Sequence, residues 1–537
     1  MTIMEGYLLL MVFLIYWIYV YAALNYGMGS NYTQGNAYMN KTDEEKKERE
    51  KLLEDEENLR TGAEFNITDK EKDVNKIFMN LKEKELDRGF SHEDQNPAAL
   101  HFFKAKSLIE KGDVFPFLKK MPKGALLHVH DSASVSSKWV IKNLTYMTGM
   151  LRCSSSKGDV FTFRKLKQKH GCSYYYKVSE ERNWSRKYDE KLEKSINLRA
   201  AYPEMVFPNL GDIWTRFQGM FSTFNDAFAY VHAFRRYIWQ MLAELYSDNV
   251  MYAEVRSTLP ELYDQNGKIY PKEFTVREYI NINKNFVKKY GDFLGIKIIY
   301  CGLRHDLNTI KTSIKEFKQL HKNFPDFIIG FDLVGQEDKG KTLFSVLNEL
   351  NDLPKSAKLF FHGGETNWFG SVMDTNLLDA ILLKTKRIGH GYALAKHPIL
   401  MEKVINKEIA LEVSPISNQV LNLVWDLRNH PAAIYLSKNI PMTITNDDPG
   451  FWDAQGVTYD FYYAIMSLAP NDAGIRLLKG LVWNSLNYSV LTYGEKQRGL
   501  NILDRRWNSF LIAAHFRSRK KSNKNREKNK RKSQSGK

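Results

Sequence analysis

Two histidines stand two residues apart in the stretch "GALLHVHD", at His128 and His130. A third histidine and a glutamate stand three apart in "HGGE", at His362 and Glu365. A fourth histidine closes "RIGH" at His390, and two aspartates lie side by side in "TNDDPGFW", at Asp447 and Asp448. Each group ends a short apolar run. Strand side chains alternate with period two, so His128 and His130 point the same way and can hold one ion. Adjacent carboxylates repel and Pro449 forbids a regular continuation, so the aspartate pair is either a solvated turn or the partner of something positive. Four imidazoles and three carboxylates, with no thiolate among them, form a nitrogen and oxygen donor set. Such a set suits Zn²⁺ best, with Fe²⁺ or Co²⁺ as alternatives. A catalytic zinc keeps one position open for water and lowers that water's pKa to about 7. One aspartate of the pair would then ligate and neutralise the cation while the other turns toward a substrate.

These residues need a scaffold that brings distant strand ends to one mouth. From residue 124 the chain repeats a pattern of apolar runs that end in polar or glycine-containing clusters. The runs are 124–131, 249–257, 296–303, 328–335, 359–365, 387–391, 409–417 and 441–448. Amphipathic stretches such as 226–246 and 310–321 separate several of them. Eight near-continuously apolar strands alternating with helices predict an α/β fold, a (β/α)8 TIM barrel over about 116–512. In such a barrel the reacting groups sit at the C-terminal ends of the strands, where the four histidines and three acids lie. The long gap after the first run predicts an inserted subdomain at about 140–205. Residues 25–115 predict an N-terminal helical extension. Within it 42–60 is highly charged, and 71–89 places Val74, Ile77, Phe78 and Leu81 on one face. This extension is either a solvated arm or a dimer contact.

The 537 residues carry a net charge of +16, which suggests a nucleic-acid binder until the charge is located. Residues 517–537, "RSRKKSNKNREKNKRKSQSGK", hold eleven Lys or Arg against one Glu, so the basicity is a tail and not a property of the fold. The composition of this tail predicts disorder and an affinity for polyanions of the heparan type, with no specific nucleic acid as partner. Residues 7–24 are eighteen without a charge, which predicts a cleaved signal peptide over 1–24 or, alternatively, a membrane anchor. Sequons at Asn31, Asn40, Asn66, Asn143 and Asn183 favour the secretory route and extracellular release; a sixth, at Asn487, falls in helix-like sequence. Of three cysteines, Cys153 and Cys172 lie in a loop-like region and can close a short loop in an oxidising compartment. Cys301 lies in a strand-like run and reads as a buried free thiol.

The stretches "MPKGALLHVHD", "FFHGGET", "RIGHGYALAKHP", "EVSPISNQVL" and "TNDDPGFWDAQGVTYDFY" resemble the metal-dependent adenosine deaminases. They are most similar to the secreted branch, the adenosine deaminase-related growth factors of the adenosine deaminase 2 type. The resemblance runs from about residue 70 to 512. It implies one zinc held by His128, His130, His362 and Asp447. Glu365 is then the acid that protonates purine N1, and His390 orients and deprotonates the attacking water. Asp448 accepts a hydrogen bond at N7 or helps aim the nucleophile. Gly335 brings its backbone N–H to N3, and Asp131 with the segment Trp214 to Phe221 contacts the ribose. The implied activity is conversion of adenosine and 2′-deoxyadenosine to inosine products and ammonia; a related barrel deaminase acting on another purine, such as AMP, is the alternative. A growth factor acting through a cell-surface receptor is a further reading, and a homodimer through the N-terminal helices is expected. Two departures stand out. Gly363 replaces the alanine common in the family. Leu303 stands where the secreted branch usually has a histidine, with Arg304 and His305 following, so ribose contacts turn on whether His305 substitutes.

Overall fold

A computed structural model describes residues 43–155, 158–165, 172 and 174–534, with side chains as far as 516. The leader and the sequons at Asn31 and Asn40 lie outside the described residues. Strand β1 (Gly124–His130) opens the barrel. The subdomain after it carries β2 (Leu151–Ser155), β3 (Gly158–Thr162) and β4 (Tyr174–Lys177) as an antiparallel sheet in the order β3-β2-β4. Cys153 in its middle strand is bonded to Cys172, and Cys301 is free and buried. The barrel resumes with β5 (Val250–Ser257), β6 (Gly295–Leu303) and β7 (Ile328–Val334). Two short pieces follow, β8 (Lys358–Leu359) and β9 (His362–Gly363), then β10 (Arg387–His390), β11 (Ala410–Val413) and β12 (Met442–Ile444).

All barrel strands pair in parallel, in the orders β1-β5-β6-β7-β8 and β12-β11-β10-β9. The run at 359–365 is thus one barrel position split into two pieces. The break has a cause: the His362 N–H donates to the Asp332 carboxylate at 2.9 Å instead of to a neighbouring strand. Phe360 N–H still bonds Phe331 O, and Gly389 N–H bonds Phe361 O, so the sheet is continuous across it. Closure falls on the aspartate pair. Asp447 bridges Val129, with His130 N–H donating to Asp447 O at 3.0 Å and Asp447 N–H to His128 O at 3.3 Å. Eight parallel positions closed in this way are a (β/α)8 barrel, and its strands are buried on both faces and mostly apolar, as such a barrel requires.

The helical extension differs from its expected face. Helix Asp69–Ser91 is capped by a reciprocal box between Thr68 and Glu71. Val74 and Phe78 are buried, but Ile77 and Leu81 are only half-buried, and Glu71, Lys82 and Glu85 take their places inside. Each buried charge has a partner. Trp507 Nε1 and Lys479 Nζ reach Glu71 at 2.8 and 2.9 Å, and Lys82 donates to the Pro470 and Ala473 carbonyls. The last helix runs Tyr493–Gln534, so the basic tail expected to be disordered continues a helix. Its packed first half supplies the nucleus, and adding turns of Lys, Arg and Glu to an existing helix costs little. Helix Asp43–Leu59 has no buried residue; residues up to 57 form a unit of their own, and 58 onward form another. Among the described residues no helix is long and apolar enough to cross a membrane.

Candidate active site

Inside the barrel, apolar strands carry charged residues whose side chains meet. Arg256 on β5 reaches Asp332 on β7 at 2.8 Å and Glu412 on β11 at 2.6 Å. Arg387 on β10 reaches Glu412 at 2.6 Å and Glu254 at 2.5 Å. All five are fully buried. Burial alone would raise the Asp332 carboxyl, but the His362 ring and the Arg256 guanidinium beside it hold it well below the usual range. Arg256 and Arg387 do the same to Glu412 against the same opposing cost of burial. Both acids are therefore fixed anions, and each turns its remaining capacity toward the site. Glu412 Oε2 lies 2.8 Å from His128 Nδ1, and Asp332 Oδ2 lies 2.7 Å from His362 Nδ1. Taking Nδ1 leaves Nε2 of each ring facing the mouth, the arrangement in which a carboxylate orients a metal-binding imidazole.

At the mouth, ligand atoms of His128, His130, His362 and Asp447 all lie within 4.8 Å of one another. Asp447 Oδ1 is 3.2 Å from His128 Nε2 and 3.1 Å from His130 Nε2. Yet His128 Nε2 and Asp447 Oδ1 are buried without hydrogen-bond partners, as atoms aimed at a common ion would be. The charge count agrees: two guanidinium groups pair with Asp332, Glu412 and Glu254, Asp447 at the mouth is a fourth acid, and one divalent cation would balance the remainder. These residues fit a metal. Ser417 Oγ donates to Asp447 Oδ2 at 2.7 Å and holds the carboxylate in place.

Glu365 and His390 stand beside this set, with His390 Nε2 at 3.5 Å from Glu365 Oε1 and 3.8 Å from Asp447 Oδ2. Burial, then the Asp447 charge, pushes the Glu365 carboxyl well above its ordinary value, so it holds a proton. Burial and the same neighbour keep the Asp448 proton on as well. A protonated Asp448 is a hydrogen-bond donor, and not the acceptor that the resemblance implied. Burial pushes His390 well below the usual range, so its ring is neutral. His390 and Asp447 have φ of 62° and 58°, left-handed values that cost non-glycine residues about 1–3 kcal/mol each. The chain turns that sharply to aim both side chains inward.

A cavity of about 480 Å³ opens onto these groups. Asp131, Trp214, Phe221, Gly335 and Asp448 all line it, with His130, His362, Glu365, His390 and Asp447 at its floor. Helix Leu210–Phe228 forms one wall; Gln218 falls within the expected segment Trp214 to Phe221, and Ser222 and Asn225 extend it beyond that reading. Asp131 accepts from Tyr279 OH at 2.7 Å and from Ser132 N–H at 2.7 Å. Gly335 has φ 106°, and a Cβ there would stand 3.4 Å from the His305 ring. His305 thus reaches the cavity beside Leu303. Also missed were Asp332, Glu412, Arg256, Arg387, Ser417 and Asn418. Lone charges inside apolar strand runs were the signal for the first four.

A family model described as "Adenosine deaminase" matches residues 188–504, and one described as "Adenosine/AMP deaminase N-terminal" matches residues 8–118. The chain is 42% identical over 465 residues to an adenosine deaminase of Phlebotomus duboscqi, covering 85% of this chain and 90% of that one. It is 39% identical over 477 residues to adenosine deaminase 2 of Sus scrofa, with 86% and 93% covered. Against adenosine deaminase 2 of Homo sapiens it is 38% identical over 470 residues, with 86% and 92% covered. Among solved structures, Arabidopsis ADAL complexed with IMP superimposes with a TM-score of 0.52 at 16% identity, covering 73% of this chain and 99% of that one. That last likeness supports the barrel fold. With the catalytic constellation and these relatives together, the chain belongs to the adenosine deaminase family, as an enzyme of the adenosine deaminase 2 type.

Proposed function

We propose that this enzyme hydrolyses adenosine and 2′-deoxyadenosine to inosine and 2′-deoxyinosine plus ammonia. The observation that carries the reading is the meeting of three imidazoles and Asp447 around two unpartnered ligand atoms, with protonated Glu365 beside them in one cavity. Zinc, held by His128, His130, His362 and Asp447, would act as a Lewis acid and activate water at neutral pH. Glu365 gives its proton to purine N1, which makes C6 electron-poor. Water adds at C6 and gives up both its protons, one to the amino group, which leaves as ammonia, and one that restores Glu365, while the ring keeps the oxygen at C6 and the proton at N1. Asp448 donates to N7, Gly335 approaches N3, and His390 orients the attacking oxygen. Asp131, Trp214 and Phe221 hold the sugar.

The cavity favours nucleosides over nucleotides. Its lining guanidinium, Arg256, is fully buried and committed to Asp332 and Glu412, while four carboxyl groups face the space. A phosphate on the sugar would be desolvated there with no free guanidinium or ammonium in the lining to receive it. Ammonia release measured in parallel with adenosine and AMP tests this; equal kcat/KM for both would reject it.

We place the enzyme outside the cell, released after cleavage of 1–24, with retention by residues 7–24 as the alternative. The Cys153–Cys172 bond and the exposed Asn66, Asn143 and Asn183 support that reading. A homodimer through the N-terminal helices, binding of heparan-type polyanions by 517–537, and growth-factor action through a receptor complete the proposal. Glu365→Gln separates the last from catalysis: mitogenic activity that survives it acts through a receptor.

A further inference from the structure

Behind His390 lies a buried chain of polar groups that no step above uses. His390 Nδ1 is 3.1 Å from the amide Nδ2 of Asn418, and Asn418 Oδ1 is 3.0 Å from His430 Nε2. His430 Nδ1 in turn receives the backbone N–H of Ala432 at 3.0 Å. All three side chains are almost inaccessible, at 2%, 1% and 2% exposure.

The direction of every bond follows from the last one. The Ala432 backbone N–H can only donate, so His430 Nδ1 is an acceptor and bears no proton. A neutral imidazole carries one proton, so that proton is on Nε2, and Nε2 donates to Asn418. Asn418 must therefore turn its oxygen to His430 and its NH₂ to His390. Flipping the amide would demand a His430 ring accepting at both nitrogens, which only an imidazolate could do. His390 Nδ1 consequently accepts, and its single proton is on Nε2. Burial holds His430 at about 3 and keeps the ring neutral, in agreement with this bond pattern.

We propose that His430 and Asn418 are positioning residues that lock His390 in its Nε2–H tautomer, so that the ring offers the cavity a donor and not a base. The proposal rests on the functional reading above only for what the donor meets: there it is the oxygen that attacks C6. Nε2–H points toward Glu365 Oε1 and Asp447 Oδ2, at 3.5 and 3.8 Å. With Nε2 already protonated, His390 orients the nucleophile by donating to it and does not collect its proton at that atom.

The test is a long-range ¹H–¹⁵N spectrum of zinc-loaded enzyme labelled with ¹⁵N-histidine, the His390 and His430 signals being assigned by their loss in His390→Gln and His430→Gln. Both rings are expected to show the Nε2-protonated pattern. Asn418→Asp replaces the amide donor with a second acceptor and should move the His390 proton to Nδ1, leaving His430 unchanged. In that variant kcat for adenosine should fall about 10²–10⁴-fold with KM within about twofold. An Nδ1-protonated or doubly protonated His390 in the unmodified enzyme overturns the proposal, whether or not the variant folds. So does a folded Asn418→Asp enzyme whose His390 pattern is unchanged. Because the spectrum needs no turnover, failure of the adenosine reading would appear separately, as an Nε2-protonated His390 in a protein that does not release ammonia.

Discussion

At the scale of single residues, the buried acids divide into anions that hold and acids that give. Asp332 and Glu412 are held as anions by arginines and aim the rings of His362 and His128. Asp332→Asn should weaken zinc affinity about 10–100-fold, read by competition with a chromophoric chelator. Glu365 already carries a proton, so Glu365→Gln preserves shape and charge. It should lower kcat about 10²–10⁴-fold while leaving the melting temperature within a degree or two, by calorimetry. Asp460 is a buried acid that takes no part in the proposed proton transfers. It is buried, accepts Ile416 N–H through Oδ1, leaves Oδ2 without a partner, and is pushed well above its ordinary value by burial. A carboxyl with a raised folded-state pKa stabilises fully below its unfolded value of about 4 and loses that contribution as pH rises. Asp460→Asn, which cannot ionise, should gain stability relative to the parent progressively above about pH 4, and a constant difference across pH would contradict this assignment. The residues that meet at the site were legible in the sequence because HxH and Asp-Asp-Pro are rare clusters at the ends of apolar runs. Asn418 and His430 were not legible: polar residues in the "EVSPISNQVL" segment and beyond it carry no periodic signal, and only the fold brings them behind His390.

At the scale of elements, the eight strands could be read from their apolar runs because parallel strands covered on both faces have little choice of composition. What could not be read was the exchange at β8 and β9, where a side-chain carboxylate takes a backbone N–H and splits the strand. Nor could the burial of Glu71, Lys82 and Glu85, each of which has a partner nearly 400 residues away or more. Helix periodicity places apolar residues inside, but it says nothing of a charge that finds a distant mate. Trp507 joins the first and last helices of the folded unit, donating to Glu71 and packing edge-on against Trp483 at 5.3 Å. Trp507→Ala should destabilise by about 3–5 kcal/mol, measured by denaturant unfolding, while adenosine KM is unchanged in the folded fraction.

At the scale of the whole molecule, the barrel exists to keep an excess of buried negative charge where a cation can answer it. Arg256 and Arg387 neutralise part of the interior, and Asp447 at the closing seam adds the charge that the metal would meet. The same seam joins first and last strands, so the site and barrel closure share residues, and a cation bound only by the folded chain stabilises closure. The most direct measurement is metal content with the decay of adenosine absorbance, on one preparation before and after a chelator and again after added zinc. One ion per chain, activity lost on chelation and regained with zinc, and both absent in folded His362→Ala are the expected results. A folded, metal-free protein that consumes adenosine at an undiminished rate would contradict the account.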